Sequence, residues 1–319
     1  MKQRNITRRI GLKEPHGFID RCANLARACL ALWAWVACWC SSVALGQTTN
    51  SAVIPISYSR GHMMVQCQCG ATQNLTMMLD TGYSLTMVRP ELAEALSLQR
   101  AGRVTIVGIS GQEEAAMYQG LDLKLGTVHY QPRRVAALPS DRGTRRRDGI
   151  LGAGFFRRFV VELDGKVMRV YEPAAFEYKG SGEIIPIRFR QETPIIQGSL
   201  PIPGKAEVQV ELEIDTGCDS GLCLGHDFAE EHHLLEAAGE TSGSGRRGVG
   251  GGARVREGHL PELRLGKLKI ERPPANFFQD NSPADGPMGG HIGMEILKKY
   301  KVTLDYSRKR MILEGLTPH

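Results

Sequence analysis

Apolar and polar positions alternate with a period of two through much of this chain. Residues 207–214 read Glu-Val-Gln-Val-Glu-Leu-Glu-Ile, and 121–125 read Leu-Asp-Leu-Lys-Leu. Successive side chains of a strand point to opposite faces, so both runs predict half-buried antiparallel strands. Helix is predicted only in short pieces, at 90–98, where Pro90 suits a first turn, and at 227–238. The pattern therefore predicts an all-β molecule with few short helices.

The same landmarks occur twice, in the same order. Val53-Ile54-Pro55-Ile56 recurs as Ile184-Ile185-Pro186-Ile187, and Met78-Leu79-Asp80-Thr81-Gly82 as Glu213-Ile214-Asp215-Thr216-Gly217. Leu123-Lys124-Leu125-Gly126 recurs as Leu263-Arg264-Leu265-Gly266, and Gly149-Ile150-Leu151-Gly152 as Gly290-His291-Ile292-Gly293. Each half closes on a strand ending in Asp, at Asp164 and Asp305. One Asp-Thr-Gly is an ordinary turn sequence. Two at corresponding places in an internal repeat predict two similar lobes, 47–172 and 184–319, joined by a connection at 173–183.

Chemistry follows from the repeat. An Asp at the end of an apolar strand, followed by Thr and Gly, sets a carboxylate on a tight turn that another backbone can approach closely. If an approximate two-fold axis relates the halves, Asp80 and Asp215 lie side by side. At an effective dielectric of 20, two such charges 4 Å apart repel by roughly 4 kcal/mol, or about 3 pK units, so the pair holds one proton. An ionised carboxyl beside a protonated one can deprotonate a water molecule while protonating an amide carbonyl, with neither metal nor cofactor required.

With these motifs the chain resembles the pepsin and retropepsin superfamily of aspartic peptidases, most closely its compact bacterial exported members, over residues 52–315. The resemblance implies two β-barrel lobes related by a pseudo-two-fold axis, with Asp80 and Asp215 as the catalytic pair. It also implies that Thr81 and Thr216 hydrogen-bond across the lobes, and that Gly82 and Gly217 permit close backbone packing. Ile150-Leu151-Gly152 and His291-Ile292-Gly293 match the family's later hydrophobic-hydrophobic-Gly motif, although His291 departs from it. Flaps over bound peptide are expected at 107–111 (Gly108, Ser110, Gly111) and 249–253 (Gly250, Gly251, Gly252). Pepsin-like flaps carry a Tyr; neither segment does, and Tyr118 lies further along. Asp219 stands where retroviral enzymes have an Asp, which would contact substrate backbone; a solvated loop carboxylate is the plainer reading.

Charge, cysteines and the N-terminus refine this picture. Seven basic residues precede Gln47 against two acidic ones, and the apolar, uncharged run 28–45 ends in Ala44-Leu45-Gly46. Residues 1–46 thus read as a secretory signal, or as a membrane anchor if uncleaved, and predict an exported, periplasmic protein. The remainder carries 33 basic and 32 acidic residues, so the net charge of +6 gives no reason to expect a nucleic-acid partner. The arginine-rich stretch 142–147 reads as a solvated loop. Four cysteines remain beyond residue 46: Cys218 and Cys223 are expected to pair, whereas Cys67 and Cys69 share one strand face and would bridge only with strain. Residues 243–248 satisfy Gly-x-Gly-x-x-Gly but follow a helix-like stretch with no βαβ unit, which excludes dinucleotide binding. Glu231-His232-His233 lacks zinc-protease spacing. The expected function is an aspartic endopeptidase, active as a monomer on peptides or exported proteins; the alternative is a catalytically silent peptide-binding protein of the same fold.

Overall fold

The computed structural model describes residues 51–70, 73–138, 147–281 and 288–316. The N-terminal segment expected to direct export lies outside them, as do Arg142, Arg145 and Arg146. The described chain is mostly strand, arranged in two ten-stranded sheets and one six-stranded sheet.

The two large sheets share one strand order. The first runs Gln99–Gly108, Gly111–Gln119, Val135–Ala137, Thr86–Val88, Gly149–Leu151, Gln73–Leu79, His62–Cys69, Leu123–Leu125, Val128–Tyr130, and Ser57–Ser59 pairs with His62–Cys69. The second runs Ser242–Gly248, Gly251–His259, Pro274–Phe278, Leu222–Leu224, Gly290–Ile292, Val208–Ile214, Thr193–Leu200, Glu262–Leu265, Leu268–Glu271, and Arg188–Arg190 pairs with Thr193–Leu200. Each strand of one has its counterpart in the other, so the internal repeat is a repeat of structure.

At the centre of each sheet the strand leading into Asp-Thr-Gly pairs in parallel with the strand of the later Gly motif. Met77, Met78 and Leu79 lie beside Gly149, Ile150 and Leu151; Leu212, Glu213 and Ile214 lie beside Gly290, His291 and Ile292. A strand enclosed on both faces reads as a continuous apolar run. Met77, Met78 and Leu79 obey this rule; Glu213, buried at the position matching Met78, breaks it.

The six-stranded sheet joins the halves. Its order is Ser51–Pro55, Val167–Tyr171, Val160–Asp164, Tyr300–Asp305, Arg310–Gly315, Glu183–Pro186, three strands from each side of the 173–183 connection. Its middle pair is antiparallel, with Val161, Glu162 and Leu163 opposite Leu304, Thr303 and Val302. Above it, Phe155, Phe156 and Phe159 are fully buried, and Tyr130 meets the Phe155 ring edge-on at 5.2 Å.

Several local expectations are corrected. The first helix covers Pro90–Ala95 and stops short of residue 98, where Ser97 takes a left-handed conformation and the chain turns into a strand. The predicted helix 227–238 is two helices, His226–Glu231 and Leu234–Ala238, because His233 between them has φ 52° and ends the first ladder. The strand expected from residue 207 begins at Val208. Among the described residues, no helix is long and apolar enough to cross a membrane.

Candidate active site

Asp80 and Asp215 each follow the last residue of a central strand. Their own amides donate to the motif strand alongside, Asp80 to Leu151 O at 3.1 Å and Asp215 to Ile292 O at 3.0 Å. Within each turn the Gly amide donates to the carboxylate two residues earlier, Gly82 N to Asp80 Oδ1 at 3.0 Å and Gly217 N to Asp215 Oδ1 at 2.8 Å. These bonds fix the side-chain orientation that the turn sequence allows.

The threonines lock one turn onto the other. Thr81 N donates to Thr216 Oγ1 at 3.0 Å and Thr216 N to Thr81 Oγ1 at 2.9 Å, while the two hydroxyls donate onward to Ile214 O at 2.5 Å and Leu79 O at 3.2 Å. All four bonds cross between the halves, and both threonines are buried. Buried and fully satisfied, such a network holds its members in one geometry.

The glycines show how close the carboxyls come. A Cβ on Gly82 would lie 2.7 Å from Asp215 Oδ1, and one on Gly217 would overlap the Asp80 carboxyl. Each carboxylate therefore packs against the glycine of the opposite turn, where only a residue without a side chain fits. Gly152 and Gly293 serve a similar purpose: a Cβ on either would run into carbonyls of the loop after the turn, Tyr83 O and Leu85 O or Cys218 O and Ser220 O.

The two acids differ in environment. Asp80 is buried, and burial, reinforced by the charge of Asp215, pushes its carboxyl well above the usual range, against the lowering effects of the Gly82 amide and Arg147. Asp215 is more open, with 20% of its side chain exposed. Arg147 was expected on a solvated loop; its guanidinium instead reaches inward, with Nη1 3.0 Å from Met78 Sδ. Tyr83, next after the first turn, has its phenol pushed up by burial and then by Asp80 and Asp215. Neither Arg147 nor Tyr83 carried a signal in the sequence, because their proximity to the pair depends on how the loops pack.

Both flap segments form the tips of long hairpins. The first pairs Gln99–Gly108 with Gly111–Gln119, turning at Ile109 and Ser110; the second pairs Ser242–Gly248 with Gly251–His259, turning at Val249 and Gly250. The rejected Gly-x-Gly-x-x-Gly run is the outgoing strand of this second hairpin. The tips meet: Ser110 N donates to Val249 O at 3.4 Å, and a Cβ on Gly108 would collide with Val249 O. Gly111 approaches Gly250, while Gly251, beside Ser110, and Gly252 begin the returning strand. Ile109 packs against a cluster of the other half formed by Cys223, Val255 and Phe278. Tyr118 is buried at the far end of its hairpin, beside Val135, and is no flap residue. A cavity opens beside the first turn between Gly82, Tyr83, Ile106, Val107 and Glu192.

Asp219 is exposed and lies against the Gly61 turn, where a Cβ would come within 2.8 Å of its own Cβ. Its charge faces His62, whose pKa is lowered by burial and partly restored by Asp219. Cys218 and Cys223 stand as two free thiols with Sγ atoms 3.2 Å apart, where a disulfide is expected from the sequence. Cys67 and Cys69 are free and buried, and burial pushes the Cys67 thiol up to about 12. Among the described residues, no group of three or more His, Cys, Asp or Glu side chains could hold a metal ion.

A family model described as aspartyl protease matches the chain twice, at residues 65–155 and 202–296. The two matches contain the two turns. No curated protein matches the chain.

Proposed function

The chain belongs to the aspartyl protease family, and from that premise we propose that it is an aspartic endopeptidase whose Asp80 and Asp215 activate one water molecule between them. The observation that carries this reading is the mutual lock of the two turns, which sets each carboxyl against the glycine of the other. Two carboxyls so close retain one proton between them. The ionised member takes a proton from water as the oxygen attacks the scissile carbonyl carbon. The protonated member donates to the carbonyl oxygen, which gives a neutral tetrahedral diol; its collapse with proton transfer to the amide nitrogen breaks the C–N bond.

The hairpins support a peptide substrate. Their paired tips form a roof from both halves, and Gly108, Ser110, Gly111, Gly250, Gly251 and Gly252 give that roof the backbone freedom a lid uses when substrate enters. We assign the cavity beside Tyr83 to a substrate side chain and Asp219 to contact with substrate backbone. Because both turns come from one chain, a monomer suffices. The basic then apolar N-terminal segment supports export, with exported or envelope proteins as substrates.

The test is cleavage of a mixed peptide library by the full chain between about pH 3 and 7. Cleavage is expected, and both Asp80→Asn and Asp215→Asn are expected to abolish it. Cleavage that survives either substitution overturns the mechanism; binding without cleavage favours a silent peptide-binding protein.

A further inference from the structure

The pseudo-symmetry fails at one buried contact. In the first half, Met78 and Ile150 are parallel-strand neighbours behind Asp80, both apolar and buried. Their counterparts behind Asp215 are Glu213 and His291, neighbours in the same register. His291 Nδ1 lies 3.3 Å from Glu213 Oε2 and 3.8 Å from Asp215 Oδ2, and these side chains are only 15%, 8% and 20% exposed. That nitrogen is buried and makes no hydrogen bond among the described residues, though it faces two carboxyl groups. A buried carboxyl and imidazole replacing a methionine and an isoleucine need a compensating role, since each costs desolvation free energy that the apolar pair does not.

We propose that Glu213 and His291 form a positioning pair that presents an Nδ1 proton to Asp215, making Asp215 the ionised, water-activating member and Asp80 the proton-holding one. The inference rests on the aspartic-peptidase reading and deepens it by dividing the two roles. The pair keeps one proton in either of two forms, as carboxylic acid with neutral imidazole or as carboxylate with imidazolium. Whenever the proton is on Nδ1 it points between Glu213 Oε2 and Asp215 Oδ2, and a donor at that place favours the Asp215 carboxylate. Nothing comparable backs Asp80, whose neighbours at this level are a thioether and an aliphatic side chain.

The surroundings agree with this division. Burial, then the charges of Asp215 and Asp80, push Glu213 up to about 9, so it retains a proton to share at neutral pH. Across the sheet His291 is in register with Cys223, whose thiol meets Cys218. The buried Tyr306 phenol, in the 3-10 turn after Tyr300–Asp305, faces Glu213 and Asp215, with Arg157 also near it. His62, near Asp219, faces Asp215 from the first half, and Arg147 faces Asp80. Arg147 would by itself favour an ionised Asp80, but burial outweighs it.

Two readouts test the proposal, one of them independent of turnover. In the full chain labelled with nitrogen-15 at histidine, the His291 ring signals are identified by their loss in His291→Ile, and their shifts at neutral pH report which ring nitrogen carries the proton. The parent is expected to show a protonated Nδ1, and Asp215→Asn and Glu213→Gln are each expected to move the proton toward Nε2, because each changes a carboxyl group that faces Nδ1. The ring signature is expected to be unchanged in Asp80→Asn. A signature that Asp215→Asn leaves in place, or that changes equally in Asp80→Asn, overturns the pairing whether or not peptide is cleaved.

In the cleavage assay, the acid limb of kcat/KM should move up by about one pH unit in His291→Ile, which restores the side chain of the first half. KM should change little. Glu213→Met/His291→Ile guards against misfolding by rebuilding the whole apolar pair, and should show the same shift. Superimposable profiles in a chain whose cleavage still requires Asp80 and Asp215 overturn the division of roles while leaving the protease reading intact. Loss of that requirement would instead count against the protease reading.

Discussion

Glycine is the residue on which the site's closeness depends most. At Gly217 an added methyl would occupy the place of the Asp80 carboxyl, so Gly217→Ala must move one turn or the other. We expect it to destabilise the fold by about 1–3 kcal/mol, as overpacking does, and to remove cleavage activity because the carboxyls part. Gly315→Ala, at a strand end with nothing within 4 Å, is the control, and should stay within about 0.5 kcal/mol of the parent in thermal unfolding. At this scale the sequence was readable where chemistry is contiguous. Asp80, Thr81 and Gly82 announce a turn by adjacency, and repetition at Asp215 announces a partner. His291 was visible as a departure from the Gly motif, but Glu213 passed as a polar position of an alternating strand, and their contact arises from parallel pairing of strands distant in sequence. Arg147 and Tyr83 gave no signal, because a side chain's direction out of a loop is decided by what packs around it.

Among the elements, the two strands that close each half carry a second buried carboxylate. Asp305 is fully buried at the end of Tyr300–Asp305, where it accepts from Ser307 Oγ at 2.6 Å, Arg310 Nε at 2.9 Å and Arg308 N at 3.2 Å, capping a 3-10 turn. Burial alone would raise its pKa; the hydrogen bonds from Ser307, Arg310 and Arg308 overcome this and hold it below its ordinary value. A depressed folded pKa means stability that is present above the unfolded value, near 3.8, and lost as pH falls through the folded one. Asp305→Asn should therefore cost about 1–3 kcal/mol at pH 7, by the loss of hydrogen bonds between charged groups, and progressively less below about pH 4, by the same linkage. Denaturant melts at pH 7 and pH 3 decide it: an equal cost at both would show that the charge is immaterial.

Element boundaries were legible where alternation is strict, as in Val208–Ile214, and lost where one backbone angle intervenes, as at His233. The flap hairpins were located by their glycines but not by their strands. Ser242–Gly248 is exposed everywhere but at the half-buried Arg246, so it shows no apolar face for a periodic pattern to reveal.

For the molecule as a whole, the six-stranded sheet decides how the halves are held. Its central antiparallel pair, the threonine lock and the joined hairpin tips are three separate sets of contacts across the pseudo-two-fold axis. The covalent link adds little to them: after the short turn Pro173–Ala175 and the buried Phe176, residues 177–182 lie at the surface or only partly covered. The link can therefore be cut without releasing either half. Fragments 1–179 and 180–319, produced as separate polypeptides, should reconstitute a 1:1 complex with cleavage activity, measured by gel filtration and peptide hydrolysis; fragments that never associate would mean that the tether itself sustains the fold. Fragment complementation would make this chain a heterodimer in all but its peptide bond, with Asp80 on one subunit and Asp215 on the other, each inert without its complement.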